Sequence, residues 1–227
     1  MVLMILTNIG QLTTNIVARN ISIARLNMLN SDGLTKAASA ASSVLGLGDG
    51  NRGPPKQIKW GLYNHCAYFG GKIPTCSPRG FGQEFDPVKA VTTDMGMNFS
   101  KGTDSFFEKD NRVSNLHEKS TAAFYLLFVG TILAGVAFLI TCLIHMSALV
   151  IAAFFAFLAF ALIAAGASIW TYMVYEFRDI ASASFRFDYG NALWFCWASV
   201  GCTLFALPAL AGGSAASRRR YYEEPYY

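Results

Sequence analysis

The chain has 227 residues, of which 53% are hydrophobic and only 14% charged, with a formal net charge of +4. An average soluble domain carries roughly 25% charged residues. Here no Asp, Glu, Lys or Arg occurs from position 121 to 175 or from 189 to 217, and runs longer than the ~20 residues that cross a hydrocarbon core exclude a soluble globular protein.

Residues 1–18 form the first apolar run, interrupted by Asn8, Gln11 and Asn15. No basic residue precedes it and no small-residue cleavage site follows, which argues against a signal peptide. It is expected to be a first transmembrane helix, polar on one face or lacking upstream residues.

A polar segment, 19–120, is expected outside the cell. Its stretch 31–55 is rich in Ser, Ala and Gly and reads as a flexible linker. Within it Leu34, Ala37, Ala38, Ala41, Val44 and Leu45 keep helical spacing, so a short amphipathic helix on the bilayer surface competes with a loosely ordered segment. Ile58, Trp60 and Leu62 then alternate with Gln57, Lys59 and Gly61, the period of a half-buried strand. Cys66 and Cys76 lie in this polar sequence, and on the oxidising side of a membrane such a pair forms a disulfide. It would tie the end of the strand to an extended piece around Ile73. Closing a loop of about eleven residues contributes roughly 3 kcal/mol on the chain-entropy model. A zinc site would need two more ligands, and only His65 and His117 are at hand, at no recognisable spacing. Residues 84–119 read as a solvated connector, with Phe106 and Phe107 as an alternative packing pair for the sheet. Asp104, Glu108 and Asp110 read as a solvated patch rather than an acid/base pair. Asn20 and Asn98 stand in Asn-x-Ser sequons and are glycosylation candidates.

The second and third helices are expected over 121–144 and 148–172, joined by a cytosolic turn at 145–147. Residues 173–190 form a second external loop, where Arg178 and Asp179, then Arg186 and Asp188, alternate in sign. This is either a solvated loop or a docking surface shared with the first loop. A fourth helix covers 191–211, with Trp194 and Trp197 as interfacial anchors and Pro208 in its last turns. Arg218, Arg219 and Arg220 in the tail, 212–227, place the C-terminus in the cytosol and form a membrane-surface basic cluster. The thirteen Lys and Arg of 19–120 do not reverse this, because loops longer than ~60 residues cross largely regardless of charge. The tyrosine-rich end, 221–227, is expected to be a short disordered segment open to cytosolic coat proteins.

No Gly-rich phosphate loop, HExxH, GxSxG or paired CxxC motif occurs. No catalytic, cofactor-binding or metal-binding residue is assigned, and no enzyme is expected. Nucleic acid is not an expected partner, because the positive charge is scattered. His145 is the one imidazole in the uncharged runs and reads as a helix terminator, whereas carriers need buried charge along their path. Cys142, Cys196 and Cys202 read as small apolar residues, with Cys142 also a palmitoylation candidate. Gly130, Gly135, Ala152, Ala156, Gly166, Ala167 and Gly201 are expected to let helices approach closely. Phe154, Phe155, Phe157 and Phe160 supply bulk for packing or lipid.

Four spans, Gly61-Leu62-Tyr63-Asn64-His65-Cys66 in a long first loop, Cys76 after nine intervening residues, and a very short cytosolic turn together resemble the claudin superfamily. Residues 15–32, Cys76-Ser77-Pro78 and Asp188-Tyr189-Gly190-Asn191-Ala192 make the chain most similar to the fungal Sur-seven/PalI family within it. Tyr63 departs from the Trp of claudins. The resemblance implies a claudin-like all-α transmembrane four-helix bundle with a small disulfide-stapled antiparallel β-sheet in the first extracellular loop. It also implies a multi-pass plasma-membrane protein with both termini cytosolic, organising eisosome-type domains linked to cell-wall integrity and endocytosis. The alternative it carries is a PalI-type accessory of an ambient-pH-sensing receptor. Expected partners are the lipid bilayer and, by lateral association, further copies or other membrane proteins.

Overall fold

The computed structural model describes residues 1–12, 15–28, 55–69, 74–82, 85–87, 90, 111–142, 146–180 and 185–223. In chain order the elements are α1 (Val2–Ile9), α2 (Ile16–Asn20), β1 (Ala24–Met28), β2 (Gln57–Trp60), β3 (His65–Tyr68) and β4 (Thr75–Cys76). Then come α3 (Asn111–Thr141), α4 (Met146–Ile180), β5 (Phe185–Tyr189) and α5 (Asn191–Glu223). The apolar runs become helices because backbone in hydrocarbon must satisfy its own N–H and C=O groups within the segment. Among the described residues three stretches, Glu118–Thr141, Ala148–Asp179 and Asn191–Leu210, are long and apolar enough to cross a membrane.

The N-terminal segment differs from the single helix expected over 1–18. α1 stops before Gly10, Gln11 takes φ 58°, and α2 has five residues. Eight helical residues rise only about 12 Å. The long helices, by contrast, overrun their expected bounds. α3 starts at Asn111 rather than at 121, α4 continues to Ile180 rather than 172, and α5 reaches Glu223 rather than 211, with Pro208 in its interior. Charge ends an apolar run but does not end a helix, since Lys, Arg and Glu are good helix formers. The helix therefore runs through Arg218, Arg219 and Arg220 to Glu223, which takes in the first three residues of the 221–227 segment expected to be disordered. α4 also begins inside the turn expected at 145–147.

The sheet has five strands in the order β4-β3-β2-β1-β5, antiparallel throughout. β2 was expected; β1 and β5 fall in sequence read as loop. Both alternate: Ala24, Leu26 and Met28 against Arg25 and Asn27, and Phe185, Phe187 and Tyr189 against Arg186 and Asp188. On the inner face Ala67, Ile58, Leu26 and Phe187 follow one another across four strands. Beneath them Trp60 stacks on Phe187, and Phe85 meets Trp60, Trp170 and Phe177 edge-on. Phe85 opens the stretch read as a solvated connector, yet it is buried and its N–H donates to Ser120 Oγ. Burying such a ring contributes roughly 1.5–3 kcal/mol.

In the apolar region Gly130 faces Ile163, and Gly166 faces Leu127, while Ala152, Ala156, Ala159 and Ala167 are buried. Gly135 and Gly201, expected in the same role, face open space. Phe154 and Phe157 point outward. The expectations on 34–45, Ile73, Asn98, Asp104, Phe106, Phe107, Glu108, Asp110 and His145 lie outside the described residues.

Candidate functional site

The feature that organises the molecule is the joint between α1, the sheet and the start of α5. The chain leaves α1 at Gly10 and reverses at Gln11, whose side chain is 1% exposed. Its Nε2 donates to the carbonyls of Arg19 (2.8 Å) and Ile21 (2.9 Å), and its Oε1 accepts from the Tyr68 hydroxyl at 3.1 Å. Its backbone N–H donates to Ala18 O at 2.8 Å. A carboxamide that weakens the segment as a span is thus the pin of a turn, because a buried polar group is tolerated when its hydrogen bonds are made. Asn8 has a similar role one turn earlier: Nδ2 donates to Met4 O and Thr131 Oγ1, and Oδ1 accepts from the Tyr63 hydroxyl. Asn15 is exposed.

Gly61 lies against this turn. A Cβ there would overlap the Gly10 carbonyl oxygen and come within 2.7 Å of Gln11 Cβ, so two backbones touch where only glycine fits. Leu62 and Asn64 are buried, and the Gly61 N–H donates to Asn64 O, closing the turn from β2 to β3. Tyr63 packs edge-on to Phe124 of α3, and burial raises its phenol above the ordinary value. His65 sits beside Trp60; its N–H donates to Ser77 Oγ and its carbonyl accepts from the Ser77 N–H. Cys66 and Cys76 are directly opposed on β3 and β4 and joined by a disulfide, with Cα atoms 4.0 Å apart. Both thiols are spent in that bond, which removes the zinc alternative. Among the described residues no cluster of three or more His, Cys, Asp or Glu could hold a metal. Of the free cysteines, Cys196 is buried against Thr7 while Cys142 and Cys202 are exposed.

The third segment closes the joint from the other side. The Gly190 N–H donates to Ile23 O and the Ala192 N–H to Ser22 O, satisfying a donor that the start of α5 would otherwise leave open. Asn191 Oδ1 accepts from the Ser22 N–H (3.0 Å) and from Arg25 Nη2 (3.1 Å), and its Nδ2 donates to Asn20 O. A Cβ on Gly190 would overlap the Ser22 carbonyl oxygen. In the Asn20 sequon, Asn20 is exposed but Ser22 is fully buried.

On the outer face Asn27 donates to Asp188 Oδ2, Gln57 to Asn27, and Arg186 pairs with Asp188 at 3.1 Å. Arg186 and Asp188 therefore belong to the sheet rather than to a loop. Lys59 Nζ lies 4.6 Å from the Tyr68 ring centre and Arg19 Cζ 5.8 Å. Burial, then the neighbouring Arg25 and Arg19, hold Lys59 below the usual lysine value. Burial raises Tyr68, offset in part by its Gln11 hydrogen bond and Arg19.

The sequence profile of the SUR7/PalI family matches residues 1–208. The chain belongs to the SUR7/PalI family. No curated protein matches the sequence. The SUR7/PalI match takes in all three segments of the joint and the disulfide, and ends before Arg218. The sequence marks Gln11 only as a polar interruption of the first apolar run, and gives Ser22, Arg25 and Phe85 no role of their own. The period-2 pattern of 24–28 and 185–189 could have signalled the strands, but nothing local marks Gln11 as a pin.

Proposed function

We propose that this SUR7/PalI-family chain is a non-enzymatic organiser of eisosome-type plasma-membrane domains, linked to cell-wall integrity and endocytosis. In this reading α1 completes a claudin-like four-helix arrangement, both termini are cytosolic and the stapled sheet stands outside. The observation that carries it is the joint: the family match covers it, and among the described residues its long-range polar bonds fix the sheet on the apolar helices. α1 meets α3 through Asn8 and Thr131 and α5 through Thr7 and Cys196, which supports its place in the bundle. A disulfide persists on the oxidising side of a membrane, which supports the orientation. Lateral association with further copies or other membrane proteins, and coat-protein contacts of the C-terminal segment, complete the proposal.

Imaging of the tagged chain tests it. Stable cortical patches that survive deletion of an ambient-pH sensor are expected. Absence of patches, together with loss of the sensor when this chain is deleted, would replace the organiser with the PalI-type accessory. A tag after Tyr227 is expected to be reached by antibody only once cells are permeabilised, and Asn98 to accept a glycan.

A further inference from the structure

We infer that Arg19, Arg25 and Lys59 form a binding site for the phosphate of an anionic lipid headgroup, on the outer face of the sheet where it meets the membrane. The three come from α2, β1 and β2: Arg19 and Lys59 meet over Tyr68, and Arg25 lies beside Lys59. Arg25 and Lys59 are directly opposite in the β1–β2 register, and like charges so placed are destabilising. Lys59 and Arg19 both lie over the Tyr68 ring, at 4.6 Å and 5.8 Å from its centre, so the ring holds two cations side by side. Among the described residues none of the three has a carboxylate partner. Asp188 stands opposite Arg25 across β1–β5, but its side-chain hydrogen bonds are to Asn27 and Arg186. The Arg25 guanidinium bonds only the neutral oxygens of Ser22 and Asn191. An anion between the cations would offset the repulsion, and phosphate suits a site with guanidinium forks and an ammonium point charge.

Depth selects a lipid over a soluble anion. Asn191, which binds Arg25, begins α5, and the exposed Trp194 and Trp197 follow within about two turns. Trp197 Nε1 donates to Thr171 on α4, beside the exposed Tyr172 and Tyr175. Such a ring of amphipathic aromatics lies at headgroup level, so the three cations sit among the phosphates of surrounding lipid. The inference concerns the sheet side of the bilayer and holds for either orientation in the cell.

The full chain in non-ionic detergent micelles is titrated with phosphatidylinositol, phosphatidylcholine or inorganic phosphate, and thermal unfolding is followed. Phosphatidylinositol should raise the midpoint at concentrations where the other two do little. Arg19→Gln should weaken that response about fivefold, and Arg19→Gln with Lys59→Gln about thirtyfold, with the disulfide kept and the lipid-free midpoint no lower than the parent's. An equal response to phosphatidylcholine, or the same shift from inorganic phosphate, overturns the assignment. So does a double variant that responds like the parent. If the double variant does not fold, Arg19→Gln decides, because that side chain is exposed: an unchanged affinity ends the proposal.

Discussion

The joint and the α3–α4 interface hold together in opposite ways. Between α3 and α4 the fit is one of shape: Gly130 admits Ile163, Gly166 admits Leu127, and buried alanines fill the seam. Hydroxyls on these helices donate back to their own helix, Thr131, Ser168 and Thr171 to carbonyls four residues earlier, while Thr131 and Thr171 also accept from Asn8 and Trp197. At the joint, glycines bring backbone against backbone, and side chains such as Gln11 and Asn191 bond residues far along the chain. Hydrocarbon penalises unmet polar groups and so favours local satisfaction. Outside the long apolar helices, the same groups can be used to fix one element on another. Substitutions should therefore be sharply position-dependent at the joint and graded along the helices.

The largest effect is expected for Gly190→Ala. Its Cβ would overlap the carbonyl oxygen of Ser22, part of the backbone that pairs with the start of α5. Backbone cannot yield as a side chain can, so the cost should exceed about 3 kcal/mol, the upper range of ordinary overpacking. Recovery of folded protein in detergent and its thermal midpoint measure this, with Gly201→Ala, which faces open space, as the silent control. Equal behaviour of the two would remove the distinction between joint and helix.

Next in size is the staple. Replacing Cys66 and Cys76 together by Ala should cost about 3 kcal/mol, from the entropy of a loop of about eleven residues. The parent should lose the same amount on reduction, and the variant should ignore reductant. A variant as stable as the oxidised parent would mean that the sheet's own hydrogen bonds suffice.

The sequence reading succeeded where the signal was a long run or a repeated period, and failed where distant residues supply the reason. The three long helices were plain from the absence of charge, and β2 from Ile58 and Trp60. The Cys66–Cys76 bond needed only proximity in sequence. β5 is masked in the sequence by the charges of Arg186 and Asp188, which interrupt the Phe185-Phe187-Tyr189 alternation that buries Phe187 against Trp60. α1 was drawn too long because the turn at Gln11 depends on Arg19, Ile21 and Tyr68, which no local pattern joins to it. Gly61 and Asn191 were quoted as motif residues, but their purpose becomes visible only when both meet the chain between Gly10 and Arg25.

Along the helices a smaller effect is expected. A Cβ at Gly166 would lie 2.8 Å from Leu127 Cγ and 3.3 Å from Ala123 O. Leu127 can change rotamer, so Gly166→Ala should cost roughly 1–2 kcal/mol, and Gly135→Ala, in open space, should cost nothing. Thermal midpoints in one detergent compare them. A Gly166→Ala loss as large as that of Gly190→Ala would show the helix seam to be as unyielding as the joint.

The smallest effect is a pH dependence carried by Lys59. Burial, Arg25 and Arg19 lower its folded value below the 10.5 of a free lysine. Between the two values the unfolded chain holds more protons than the folded one, so stability must rise with pH in that window. Below it the cost of keeping the charge in place is present in full; above 10.5 it is gone. Tyr63 and Tyr68 act in the reverse sense, because burial raises them: their contribution is present below 10.0 and lost as pH climbs through the raised values. Comparing the parent with Lys59→Gln subtracts the tyrosines, which both proteins share. The parent should gain on the variant as pH rises toward 10.5, by a small amount because water screens a half-exposed ammonium. A difference that stays flat, or moves the other way, would mean that Arg19 and Arg25 do not press on Lys59, and that the outer face of the joint is as electrically quiet as the helices beneath it.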